Sequence, residues 1–204
     1  MTKSSEQKST VFIVDDDQAI RHAMEFLMRS VGLDYEIFHS ADDFLASFAD
    51  EKPGCLVLDI RMPGLGGLEL QEKLIEMGST LPIIFITGHG DVPMAVDAMQ
   101  KGAVDFIQKP FRDQDLLDRI GEALKTDQER RSERQEHAEV QTRIDRLTKR
   151  EHEVLDLVVT GKPNKVIAYE LGVSQRTVEI HRARVMEKMQ ARSLADLVRM
   201  HMTA

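Results

Sequence analysis

Over the first 125 residues, short runs rich in Val and Ile alternate strictly with longer stretches whose apolar residues recur at helical spacing, and few folds accommodate that pattern. The runs are "TVFIV", "YEIF", "CLVLD", "PIIFIT" and "VDFI". An unbroken apolar run bounded by turn residues reads as a strand covered on both faces. Between the runs, Ile20, Met24, Leu27, Met28 and Val31 keep steps of three and four, with Gly32 as a stop. Ser40 caps "ADDFLASFA", Leu68 to Met77 ends at Gly78, Met94 to Lys101 ends at Gly102, and Arg112 to Lys125 is the last helical stretch. Strands and helices in strict alternation are βαβ units, which predicts a doubly wound α/β domain over residues 1–125, with a parallel sheet covered on both faces.

Residues 126–146 behave differently. In "TDQERRSERQEHAE" apolar residues nearly vanish, and mixed charges at three- and four-residue spacing favour a solvated helix. Without an apolar heptad it reads as a charged connector rather than a coiled-coil stem. Periodicity returns over residues 147–204 as four short helices, at Lys149 to Thr160, Lys165 to Leu171, Gln175 to Met189 and Leu194 to His201. "LGVS" between the second and third is the tight Gly-containing turn of a helix-turn-helix, with Ser174 as N-cap.

Charge separates the two parts. Residues 141–204 hold 12 Lys/Arg against 8 Asp/Glu, so of the chain's 27 basic and 35 acidic side chains, 15 and 27 lie before them. A nucleic-acid contact is therefore expected from the second part. No apolar run is long enough for a membrane span, and "MTKSSEQKST" lacks the apolar core of a signal peptide, which predicts a cytoplasmic protein without membrane contact. The one cysteine, Cys55, lies inside "CLVLDI" and reads as a buried thiol.

In a doubly wound sheet the loops at the carboxyl ends of the strands converge on one crevice. The chain places Asp15 and Asp16 after the first predicted strand, Asp59 at the end of the third, Thr87 after the fourth and Lys109 after the fifth. Crowded carboxylates repel unless a cation sits among them or some members face water, and oxygen donors alone suit Mg²⁺. From the run itself, Asp16 or Asp17 also reads as a cap of the helix that follows. Asp59, at the tip of an apolar strand, is the candidate nucleophile for a covalent aspartyl phosphate, with Lys109 and Thr87 supplying an ammonium and a hydroxyl for the phosphate oxygens. Gly88 leaves room for a donor to approach, and His89 reads as a loop residue.

"VFIVDDD", "LVLDIRMPG", "FITGHGDVPMAVDAM" and "GAVDFIQKPF" together resemble the flavodoxin-like receiver domain of two-component response regulators, over Thr10 to Leu124. The resemblance implies that Asp59 accepts phosphate from a sensor histidine kinase, and that Asp15, Asp16 and the backbone carbonyl of Arg61 hold Mg²⁺ together with Asp59. Asp17 is then left as a helix cap or helix-start residue. It further implies a switch pair of Thr87 and Phe106, the latter otherwise a plain core aromatic, and a cis Lys109-Pro110 peptide.

"PNKVIAYELGVSQRTVEIHRARVMEKM" resembles the four-helix DNA-binding domain of the LuxR/NarL class, in its FixJ-like form, over Leu147 to Met200. Within the third helix Val178, Val185 and Met189 should face the bundle, while Arg176, Glu179, Ile180 and Ala183 line the opposite face, suited to the major groove of an operator. Ile180 could meet a thymine methyl and Glu179 could accept from cytosine N4. Thr177, His181, Arg184 and Lys188 share a flanking stripe suited to phosphates, and Lys165 could add another such contact. Each basic residue, taken singly, also reads as a solvated surface charge. The last helix presents Leu194, Leu197, Val198 and Met200, of which part could pack on its own domain and part, as the resemblance implies, could pair with a second copy.

These readings predict a phosphorylation-controlled transcription factor that forms a homodimer on phosphorylation, through its fourth helix, fifth strand and fifth helix, and works with RNA polymerase. An enzyme of the haloacid dehalogenase type would need a second acid two residues after the nucleophile, where this chain has Arg61. A one-component DNA-binding protein would lack the acceptor or the lysine, and both are present.

Overall fold

Each apolar run forms a strand: β1 (Thr10–Val14), β2 (Asp34–Phe38), β3 (Gly54–Asp59), β4 (Ile83–Thr87) and β5 (Asp105–Gln108). This computed structural model describes residues 8–49, 52–88 and 92–202. The strands pair in parallel in the order β2-β1-β3-β4-β5. Helices α1 (Gln18–Val31), α2 (Ala41–Ser47), α3 (Gly67–Glu76), α4 (Val92–Gln100) and α5 (Asp113–Ile144) connect or follow them. Successive side chains of a strand point to opposite faces. Val11, Ile13, Cys55, Val57, Ile84 and Ile86 therefore pack with Met24 and Met28 of α1 and Leu116 and Ile120 of α5. Phe12, Val14, Leu56, Leu58 and Phe85 pack on the other face with Phe44, Leu70, Leu74 and Ala98 from α2, α3 and α4. The chain order reverses between β1 and β3, so both carry their C-terminal ends to the centre of the sheet edge.

The chain divides into two units, one ending at Arg130 and one beginning at Arg131. Residues 126–144, read from sequence as part of a connector, belong to α5. The helix is anchored within each unit by a side chain that composition does not reveal. Asp127 is buried and accepts a hydrogen bond from the Gly54 N–H at 2.9 Å, while Val140 joins the core of the second unit. Cys55 is buried, and burial pushes its thiol well up, helped by the negative charge of Asp127.

The second unit adds α6 (Lys149–Val159), α7 (Asn164–Leu171), α8 (Gln175–Met189) and α9 (Leu194–Met202). Its core is Val154, Leu155, Val158, Ile167, Val178, Val185, Met189 and Leu197, with Leu147 and Val140 at its margin. Gly172 closes α7 in the left-handed region at φ 65°, and Ser174 caps α8 by accepting from the Thr177 N–H.

Candidate functional site

Three aspartates meet where β1 and β3 end. Asp15 is 1% exposed, Asp59 9%, and Asp16 faces solvent. One oxygen from each lies within 4.8 Å of the others. The third acid of the opening run does a different job: Asp17 is the N-cap of α1, accepting from the Ala19 N–H at 2.8 Å. The crowding therefore involves Asp15, Asp16 and Asp59.

Lys109 holds the buried pair together. Its Nζ donates to Asp15 Oδ2 at 2.9 Å and to Asp59 Oδ2 at 3.2 Å. Its backbone N–H donates to the Thr87 carbonyl at 2.8 Å, tying it to β4, and the Lys109-Pro110 peptide is cis. Burial raises the pKa of Asp59, and the charge of Asp15 adds to this; Lys109 and the Arg61 N–H act in the opposite sense. For Lys109, burial works against the charge, but the Asp15 hydrogen bond and the charges of Asp15 and Asp59 outweigh it, so the ammonium is stabilised. The result is a partly desolvated, net-negative pocket of oxygen donors.

Thr87 is fully buried, and its hydroxyl donates to the Gly88 carbonyl at 3.0 Å. Phe106 is half-buried against the Phe85 face of the sheet. Arg61 is exposed beyond β3. His89 lies outside the described residues. Sequence reasoning missed two contributors. Gly67, the first residue of α3, passes so close to β3 that a Cβ there would stand 2.2 Å from the Asp59 carbonyl oxygen. Arg21, in the first turns of α1, donates from Nη1 to the Asp15 carbonyl at 2.7 Å. The double glycine in "GLGG" was a readable signal for the first; the second had none, because only apolar positions mark that helix.

On α8, Val178, Val185 and Met189 are buried as expected, and Arg176, Glu179, Ile180, Ala183 and Arg184 are exposed. Ile180 is 47% exposed, an apolar side chain held in water on a polar face. Lys165 is exposed on the first turn of α7. In the flanking stripe Arg184 is exposed, and Thr177, His181 and Lys188 are half-buried. Thr177 is engaged with the Ser174 cap, its Oγ1 2.8 Å from the serine Oγ, and His181 is half-buried with Nδ1 shielded from solvent.

Lys188 is held within its own unit: its Nζ donates to Glu151 Oε2 at 2.6 Å and to the Arg146 carbonyl at 3.1 Å. Glu151 is buried at the start of α6, where it also accepts from the Thr148 N–H in a reciprocal cap of the T-x-x-E kind. A buried carboxylate must find a cation, and the last turns of α8 supply it. The Lys188 hydrogen bond and then the Thr148 N–H bring the Glu151 carboxyl down from 4.5 to about 2. A depressed acid stabilises the fold above its unfolded pKa, and that contribution disappears as pH falls through the window between 4.5 and about 2. Glu151→Gln should therefore cost about 2 kcal/mol at pH 7 and almost nothing near pH 2, measured by denaturant unfolding at both pH values.

Comparison with known proteins places both units in described families. The family described as response regulator receiver domain matches residues 11–121, and bacterial regulatory proteins of the luxR family match residues 145–201. Nodulation protein W of Bradyrhizobium diazoefficiens is 50% identical over 196 residues, covering 96% of this chain and 86% of that protein. Transcriptional regulatory protein FixJ of Rhizobium meliloti is 46% identical, covering 94% of each. Among solved structures, response regulator StyR superposes with a TM-score of 0.89 at 46% identity, over 97% of this chain and 100% of that one. Full-length FixJ from B. japonicum gives 0.61 at 41% identity, over 97% of each.

Proposed function

The chain belongs to the two-component response regulators that join a receiver domain to a LuxR-type DNA-binding domain, and from that premise we propose that phosphoryl transfer from a sensor histidine kinase to Asp59 controls its occupancy of DNA. Its domain content is that of a transcription factor rather than of an enzyme. The observation that carries the proposal is the Lys109 bridge between two buried carboxylates from different strands. An ammonium held there is in place for an incoming phosphate, and no packing need explains burying two acids side by side.

The donor set fits Mg²⁺: Asp15, Asp16, Asp59 and the Arg61 carbonyl are all oxygen ligands, and Asp16 is open to solvent. When bound, the ion would offset the charge of the transferring phosphoryl group. The Asp59 oxygen attacks phosphorus as the bond from phosphorus to the kinase histidine breaks, and the imidazole leaves with its proton on the other nitrogen. Lys109 then exchanges a carboxylate for a phosphoryl oxygen. Thr87 turns its hydroxyl from the Gly88 carbonyl toward the phosphate, and Phe106, beside Phe85 on the paired strand, follows inward.

This favours a second arrangement of α4 and β5. Moving from mostly off to mostly on takes about 5.5 kcal/mol of preference. The dimer face we assign is α4-β5-α5, where Val96 (48%) and Met99 (36%) stand exposed. Leu194 and Met202 on α9, 38% and 81% exposed, offer a second apolar surface in the DNA-binding domain. Two DNA-binding domains then engage paired half-sites of an operator, with RNA polymerase as a further partner in a cytoplasmic setting. Among the described residues no helix is long and apolar enough to cross a membrane.

Incubation with a small acyl phosphate and Mg²⁺ tests the reading. Stable uptake with tighter DNA binding supports a regulated transcription factor; rapid turnover would indicate a phosphatase, and no uptake a one-component regulator. On DNA, Arg176→Ala should cost about 1–3 kcal/mol and relax preference at one base position, whereas Lys165→Ala should weaken all sequences alike and lower the salt slope by about 1. Lys188→Ala should leave that slope unchanged and lower stability instead, because its charge is spent on Glu151. Fluorescence anisotropy across salt concentrations distinguishes them.

A further inference from the structure

We infer that Arg21 is a positioning residue of the acidic site, fixing the peptide between Asp15 and Asp16 so that the Asp16 carboxylate is presented beside Asp15 and Asp59. The inference rests on the Mg²⁺ reading above.

Asp15 has no freedom of its own. Oδ1 accepts the Asp17 N–H at 2.8 Å, Oδ2 accepts Lys109, and the backbone carbonyl accepts Arg21 Nη1 at 2.7 Å. That last contact is a charge-assisted hydrogen bond, shorter and stronger than a neutral one. The carbonyl of residue 15 and the N–H of residue 16 share one peptide plane, so pinning the oxygen sets the direction in which the next side chain leaves the backbone. Asp16 is exposed in the loop between β1 and α1, where side chains alone give little restraint. Arg21 is itself seated, because its N–H closes the first turn of α1 on the Asp17 carbonyl at 3.0 Å, and Asp17 is the cap. The orientation of Asp16 is thereby referred to a helix.

Two effects of the guanidinium on a cation have opposite sign, which makes the assignment testable. As a positive charge held on the Asp15 carbonyl, Arg21 repels Mg²⁺, and its removal would tighten binding. As the group that orients the loop, it favours Mg²⁺, and loss of such an outer partner weakens metal binding about 10- to 100-fold. A residue that served stability alone would move the unfolding temperature without moving the affinity of the folded protein.

The experiment is calorimetric titration of the full chain with MgCl₂ at fixed ionic strength, with thermal unfolding of each variant as a control. Arg21→Met should bind Mg²⁺ about 10-fold more weakly than the parent. Arg21→Gln, a second neutral variant, should do the same and stands in if the methionine variant does not fold. Arg21→Lys, which keeps a donor and the charge, should return part of the loss. Neutral variants that bind as tightly as the parent, or more tightly, would overturn the inference, as would a lysine variant no better than they are. A folded parent that takes up no Mg²⁺ would instead overturn the reading of the acidic site on which it rests.

Discussion

Asp59→Asn is expected to take up no phosphate from a small acyl phosphate with Mg²⁺, and to gain no DNA affinity under conditions where the parent gains about tenfold or more. The amide keeps the shape of the carboxylate but lacks the nucleophilic oxygen and the charge that a cation requires. Its stability should move the other way. Burial raises the pKa of Asp59, so ionising the side chain costs the fold free energy, a cost that accrues as pH rises above the unfolded pKa and is complete above the folded one. Removing that charge should leave the metal-free protein as stable as the parent, or more so. Phosphate incorporation, self-association by light scattering and thermal unfolding give the three readouts. A variant that lost function by unfolding would fail the third.

Gly67→Ala should be severely damaging at the phosphate acceptor, because one added methyl group meets the backbone of β3. The added Cβ would stand 2.2 Å from the Asp59 carbonyl oxygen, 3.0 Å from the Ile60 Cα and 3.1 Å from the Asp59 carbonyl carbon. All three are backbone atoms, so no side chain can turn aside, and either α3 or the end of β3 must shift. The Gly67 N–H also donates to the Ile60 carbonyl at 3.0 Å, so the shift would break a hydrogen bond beside the phosphate acceptor. A loss of about 2–3 kcal/mol is expected, together with slower phosphate uptake by whatever remains folded. Gly66→Ala is the control. Its Cβ would meet nothing nearer than the Ile60 carbonyl oxygen at 3.6 Å, so stability and uptake should be close to those of the parent.

The sheet was legible because its evidence is local. Val11 to Val14 and Cys55 to Leu58 are apolar at every position, and only a strand covered on both sides makes that pattern soluble. Strand ends followed, and with them the meeting of Asp15, Asp16 and Asp59. What could not be read was contact between elements through polar atoms. A helical projection places Lys188 on a face of α8, but gives no hint that a buried acid thirty-seven residues earlier lies within reach of that face. The same projection ignores Arg21, since its contact is to a carbonyl rather than to a side chain with its own signature. Gly67 could be seen as a glycine but not as a point of closest approach, which only the packing of α3 on β3 defines.

The composition of "TDQERRSERQEHAE" suggests that the receiver has already ended before this stretch begins, yet Asp127 lies within it and covers the first peptide N–H of the strand that ends at Asp59. An excised N-terminal fragment cut where apolar residues thin out would leave that amide, deep beside Cys55, with no acceptor. The frontier of the unit is set by one carboxylate reaching back to the foot of the central strand, a helical turn or so past the place where hydrophobicity fades.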